Sequence, residues 1–234
     1  MWEYIIDIDT QLLIWLNAFN HWFWDGFMTL ATNKYVWSGF YLAIAFALWK
    51  SFGWKSMLII FVGCVVGVAI SDQFTASLLR PYFERLRPSN INNPVSELLH
   101  LIEGYRGGKY GFPSSHASNT FTIFTIISLV FKRWQVVVGF LLWALLNCYS
   151  RIYLGVHYPL DLLVGASIGV LVGIFLFYII SITNSSLGSC KNLERGGTLQ
   201  SFHIFGWHGK YYPYQVMLLI EGLTILTIAI IPLF

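Results

Sequence analysis

The strongest constraint on this chain is the run from Met57 to Leu79, which carries one formal charge, Asp72, in an otherwise apolar and small-polar stretch. A helix needs about 20 such residues to cross a hydrocarbon core of ~30 Å. Only helices and closed barrels satisfy their own backbone inside lipid. Further runs repeat the pattern: about Tyr35 to Trp49, a Pro113–His116 motif onward to Phe131, Trp134 to about Leu154, Leu160 to Thr183, and Val216 to Phe234. The run at Tyr35 is short and is expected to begin further upstream. Composition agrees, with 56% hydrophobic and 11% charged residues, where soluble domains carry about a quarter charged. The fold expected is all-α, a six-span transmembrane helical bundle. A formal charge of +3 is too small and too scattered to suggest nucleic acid. Cys64, Cys148 and Cys190 form neither a disulfide framework nor a zinc set.

Residues 1 to about 33 are aromatic and acidic at once. Ile5, Ile8, Leu12, Trp15 and Leu16 recur at helical spacing beside Glu3, Asp7 and Asp9. An amphipathic helix of that kind lies along the membrane interface, where indole rings meet both lipid and water. The chain therefore reads as one domain: an interfacial segment over 1–33, a bundle over 35–183, and a polar loop with the last span over 184–234.

Three polar motifs interrupt the apolar sequence. They are R-P-Y-F-E-R-L-R-P from Arg80 to Pro88, P-S-S-H from Pro113 to His116, and S-R-I-Y-L-G-V-H-Y-P-L-D from Ser150 to Asp161. Each lies at or beside the end of a span, and six spans place all three on one side of the membrane. The two sides hold equal numbers of Lys and Arg. Setting aside Arg80, Arg87 and Arg151 leaves the excess on the other side, so the motifs are expected to face away from the cytoplasm.

Taken singly, the motif residues have ordinary explanations. The arginines could snorkel or pair with Asp161, Glu84, Glu97 or Glu103. Ser114 or Ser115 could simply cap a helix, and so could Asp161. Taken together, three arginines and two histidines at one bundle end point to a polyanion, because guanidinium forks match phosphate oxygens. A helix starting at P-S-S-H aims free N–H groups at the same place. His157 and Asp161, four residues apart, can meet, fixing one imidazole nitrogen and freeing the other to attack phosphorus. His116 can then protonate the leaving oxygen. Two histidines and a carboxylate could also bind zinc or iron, but three arginines around a cation repel it, so neither metal nor cofactor is expected.

At these residues the sequence resembles the type 2 phosphatidic acid phosphatase superfamily, whose signature is K-x6-R-P, P-S-G-H and S-R-x5-H-x3-D. The third part matches fully, the second as P-S-S-H, and the first as Arg80-x6-Arg87-Pro88. Arginine replaces the usual lysine at 80, and serine replaces glycine at 115. The resemblance implies His157 as nucleophile forming a phosphohistidine, Asp161 orienting it, and His116 as general acid. It implies Arg80, Arg87, Arg151, Ser114 and the backbone N–H of Ser115 as the phosphate cradle, with no metal.

The activity implied is that of an integral membrane lipid phosphatase acting on a phosphomonoester or pyrophosphate. Its site would face the periplasm or exterior of a bacterial inner membrane. Undecaprenyl pyrophosphate, phosphatidylglycerol phosphate, phosphatidic acid and lipid A all fit as substrates. The alternative class is a phospholipid or anion transporter, or a non-catalytic lipid-phosphate-binding membrane protein. Such a protein would use the arginines but leave the His157–Asp161 pair without a purpose.

Overall fold

A computed structural model describes residues 2–186, 200–204 and 207–233. The protein is mostly helical: α1 (Trp2–Asn17), α2 (Trp22–Ala31), α3 (Ser38–Phe52), α4 (Trp54–Asp72), α5 (Arg80–Phe83), α6 (Ser115–Phe131), α7 (Trp134–Tyr153), α8 (Pro159–Ser186) and α9 (Pro213–Ile230). Four helical stretches are long and apolar enough to cross a membrane: Trp54–Phe83, Trp134–Tyr153, Pro159–Thr183 and Pro213–Leu233. The last ends at a short 3-10 turn beyond α9.

Several boundaries differ from the sequence expectation, each for a local reason. α3 does not begin upstream of Tyr35 but at Ser38, because Asn33–Trp37 form turns and the Asn33 side chain accepts from the Tyr35 N–H (3.0 Å). The N-terminal segment is two helices, parted where His21 caps α2 by accepting from the Phe23 N–H. The polar stretch before α9, read as loop, contains an antiparallel hairpin of β1 (Gln200–Ile204) and β2 (Trp207–Tyr211), in which His203 faces His208. Most of the 184–199 part of that loop lies outside the described residues.

α1 meets the bundle through a different face from the one its apolar spacing marks. Leu13 is fully buried, and Asp9 and Asn17 are buried with it, one turn before and one turn after it on the same stripe. Ile5, Ile8, Leu12 and Trp15 remain exposed. Asn17 fixes the helix by donating to the Tyr153 carbonyl (2.7 Å) at the end of α7 and accepting from the His100 N–H (2.8 Å).

α6 is the central helix and packs most extensively on α8. It is short and rich in hydroxyls, which a buried helix can accommodate. Thr120, Thr122 and Thr125 each donate to the carbonyl one turn back (2.7, 2.9 and 2.8 Å), so none of these three hydroxyls strands its proton. Close contact depends on glycines at every fourth position of α8. A Cβ on Gly165 or Gly169 would collide with the carbonyl oxygen of Ser114 or Ser118, and one on Gly173 would sit 2.6 Å from the Thr125 Cβ. Small residues let helix backbones approach in this way inside lipid.

Between α4 and α5 the helix widens into a π-helical turn over Gln73–Leu79, the kind of irregularity that re-aims a side chain. Here it precedes Arg80. The long loop after α5 is pinned by the Leu86–Tyr110 bridge and by Leu99 and Leu101 against Gly155.

The glycine contact gives a direct test. Gly169→Val should destabilise the protein by roughly 3 kcal/mol, read as a lower Tm in detergent, with activity lost alongside. Gly222→Ala, which meets nothing within 4 Å, should leave both unchanged.

Candidate active site

The three motifs converge at the α6–α8 end of the bundle. α6 starts at Ser115, with the Ser114 side chain accepting from the Ala117 N–H (3.4 Å). The Ser114 N–H donates to the Asp161 carbonyl (2.9 Å), which ties the second motif to the third. The Ser114 hydroxyl thus caps its helix, while the Ser115 hydroxyl faces the first motif. It accepts from Arg80 Nη2 (2.7 Å) and shares a hydrogen bond with the Thr75 hydroxyl (2.8 Å).

Arg87 reaches the third motif. Its Nη1 lies 3.0 Å from His157 Nε2 and donates to the Val156 carbonyl (3.2 Å), and its Nε donates to the Tyr110 carbonyl (3.1 Å). Arg151 Nη1 donates to the Thr32 hydroxyl (2.9 Å), and that hydroxyl lies 3.5 Å from His116 Nε2. These contacts form three small groups: Arg80 with Ser115, Arg87 with His157, Asp161 and Ser114, and Arg151 with His116 through Thr32.

The sequence offered acids to neutralise these arginines, and the structure corrects that expectation. Among the described residues no carboxylate lies within ion-pair distance of Arg80, Arg87 or Arg151, and Glu84 instead accepts from the Tyr110 hydroxyl (3.1 Å). The buried Nε donors of Arg80 and Arg151 also lack partners among those residues. Burying such a donor unmade costs about 1–3 kcal/mol. Burial, then the charges of Arg80 and Arg151, pull Arg87 down to about 10, so it stays cationic at neutral pH but less comfortably than in water. A cluster of cations held at this cost suits an anion with several oxygens.

His157 is almost fully buried and stands against Asp161, with Nδ1 to Oδ2 at 3.4 Å. The Tyr158 N–H donates to the same oxygen (3.0 Å). Burial first, and then Arg87, Arg151 and Arg80, hold the His157 ring well below its ordinary range. At neutral pH it is an uncharged imidazole. With Nδ1 protonated towards Asp161, its Nε2 lone pair points at the Arg87 guanidinium, where an anion would also sit.

Sequence reasoning missed Arg85, Asp9 and Thr32. Arg85 is the neutralised arginine of the first motif: Nη1 bonds Asp161 Oδ1 (2.8 Å) and Nη2 bonds Asp9 Oδ2 (2.6 Å). Nothing in R-P-Y-F-E-R-L-R-P marks which arginine meets a carboxylate. Asp9 had a signal, since it shares the helical stripe of Leu13 and Asn17. Thr32 is an ordinary residue at a helix end and had none. Asp72, the one charge in the Met57–Leu79 run, accepts from the Asn119 side chain (3.3 Å).

Comparison with known proteins follows this geometry. Residues 61–184 match the family model described as PAP2 superfamily. A lipid A 4'-phosphatase of Bacteroides thetaiotaomicron is 43% identical over 181 residues, covering 77% of this chain and 80% of that protein. One of Porphyromonas gingivalis is 34% identical over 182 residues, covering 75% and 74%. The crystal structure of Aquifex aeolicus LpxE superimposes with a TM-score of 0.52 at 27% identity, covering 72% of this chain and 93% of that one.

The depressed basicity of His157 has a consequence for stability. The unfolded chain takes up a proton on this residue near pH ~6.5 that the folded site refuses. Folding is therefore most favoured above that pH and weakens as pH falls below it. Lowering pH from ~7.5 to ~5 should reduce the Tm of the wild type more than that of His157→Gln, measured by thermal unfolding in detergent.

Proposed function

The chain belongs to the PAP2 superfamily and is a membrane-embedded lipid phosphomonoester phosphatase, and from that premise we propose that it works through a phosphohistidine at His157 without a metal ion. The observation that carries this reading is an uncharged, Asp161-backed imidazole beside three guanidiniums that pair with no carboxylate among the described residues. The Nε2 lone pair of His157 attacks phosphorus in line, the bond from phosphorus to the lipid oxygen breaks, and His116, which holds a second ring proton while the phosphate dianion is bound, gives that proton to the oxygen. Water then attacks phosphorus, the P–N bond to His157 breaks, and the proton lost by the water returns to His116. Inorganic phosphate leaves and His157 is again neutral. Arg80, Arg87 and Arg151 stabilise charge on the equatorial oxygens, the electrostatic task a metal would otherwise perform.

Two cavities support a lipid arriving from within the bilayer. One of about 290 Å³ adjoins His116, Thr32 and Lys34. Another of about 290 Å³ lies deeper, among Ile44, Leu48, Phe61 and Cys64. Tyr41, Val68 and Ile123 line both, so a headgroup at the first would place an acyl chain in the second. The relatives favour a phosphomonoester of lipid A over undecaprenyl pyrophosphate, phosphatidylglycerol phosphate or phosphatidic acid. α3 and α6 complete a six-span bundle with the four long helical stretches, and the exposed apolar face of α1 lies in the interface. The site opens to the periplasm of a bacterial inner membrane, because Lys50, Lys55, Lys132 and Arg133 gather at the turns of the opposite end.

His157→Ala should abolish phosphate release while the protein still folds, and brief incubation of the wild type with radiolabelled lipid A should place acid-labile label on His157. Label on another residue would refute the mechanism. Arg87→Ala should lower kcat/KM by about 10²–10³-fold, and EDTA should leave the wild-type rate unchanged.

A further inference from the structure

One arginine of the first motif, Arg85, is paired with carboxylates in place of a free anion site. The Arg85 guanidinium lies 4.0 Å over the centre of the Tyr158 ring and grips a carboxylate on each side. Asp161 is completely buried and Asp9 nearly so. Each Asp161 oxygen is occupied: Oδ1 by Arg85, and Oδ2 by the Tyr158 N–H and by His157 Nδ1. The angle at which Oδ2 faces the imidazole is thus fixed from the far side of the carboxylate. Asp9 fixes Arg85 in turn, and its other oxygen accepts from the Leu160 N–H (2.8 Å) in the first turn of α8. Asp9 rides on α1, which is anchored again at Asn17 and presents Ile5, Ile8, Leu12 and Trp15 outward.

We propose that Asp9 and Arg85 are positioning residues for phosphoryl transfer: Asp9, delivered by α1, orients Arg85, and Arg85 locks Asp161 so that His157 keeps its proton on Nδ1 and offers Nε2 to phosphorus. This inference rests on the phosphohistidine reading of the site. It makes α1 part of the catalytic apparatus and not merely an anchor. A bidentate fork is required at residue 85, since a single ammonium cannot bond both carboxylates in one plane. Displacing a reacting group by ~1 Å costs on the order of 100-fold in rate, which is the scale expected when the fork is lost.

The test uses full-length protein in detergent with lipid A as substrate and orthovanadate as a ligand for the phosphate cradle. Arg85→Gln should lower kcat and the rate of His157 labelling by on the order of 100-fold, with KM and vanadate affinity within about threefold of wild type. Arg85→Lys, keeping the charge, should recover about a tenth of the wild-type kcat, and Asp9→Asn should lower kcat by roughly tenfold at unchanged KM. Tm is measured for each variant, and if Arg85→Gln does not fold, the Lys and Asn variants decide. Wild-type kcat in variants that still label His157 would overturn the proposal, as would a loss confined to KM or to Tm. Failure of the wild type to label His157 would instead overturn the reading on which it rests.

Discussion

Unbalanced positive charge is the constraint to which the rest of this structure answers. Arg80, Arg87 and Arg151 are brought together in surroundings of low polarity with no carboxylate within ion-pair distance among the described residues, while Asp161 beside them is held by Arg85. Cations at membrane depth are expensive and persist where they do work. Burial first, and then the positive charge of these arginines, disfavours protonation of His157, so in the proposed mechanism the field that attracts phosphate also helps keep the imidazole nucleophilic. In the proposed mechanism, anion binding and nucleophile activation both draw on one charge arrangement.

The bundle is built to hold that arrangement. Glycines on α8 let α6 lie against it backbone to backbone, which sets Ser114 and Ser115 beside Asp161. The π-helical turn before Arg80 and the capped start of α6 aim the first two motifs at the third. The central helix can be short because α4, α7 and α8 surround it. Its threonines bond their own backbone, leaving the polar donors near its start to the site.

Much of this was legible in the sequence, because both the bilayer and phosphate chemistry impose residue types that stand out. Apolar runs marked the long helices, and the motif spacing brought Arg80, Arg87, His116, Arg151, His157 and Asp161 to one bundle end. What the sequence hid was pairing. Arg85 and Arg87 are two residues apart and chemically identical, yet one faces Asp161 and the other His157, a difference set by backbone direction after α5. Asp9 looked like part of a solvated face, because an amphipathic pattern identifies the lipid side of α1 and not which acid turns inward. The hairpin before α9 was missed because each strand is short, with only Phe202 and Ile204 alternating in β1 and Trp207 and Tyr211 in β2. Ser114 shows the converse: an ordinary reading as a helix cap described its side chain fully.

The central claim is that the guanidiniums and His157 define one phosphoryl-transfer centre. It is tested most directly by a crystal structure of the protein with orthovanadate. The account requires pentacoordinate vanadium bonded to His157 Nε2, with its equatorial oxygens on Arg80, Arg87 and Arg151 and an apical oxygen towards His116. Vanadate bound away from His157, or coordinated by a metal ion in place of the arginines, would contradict it.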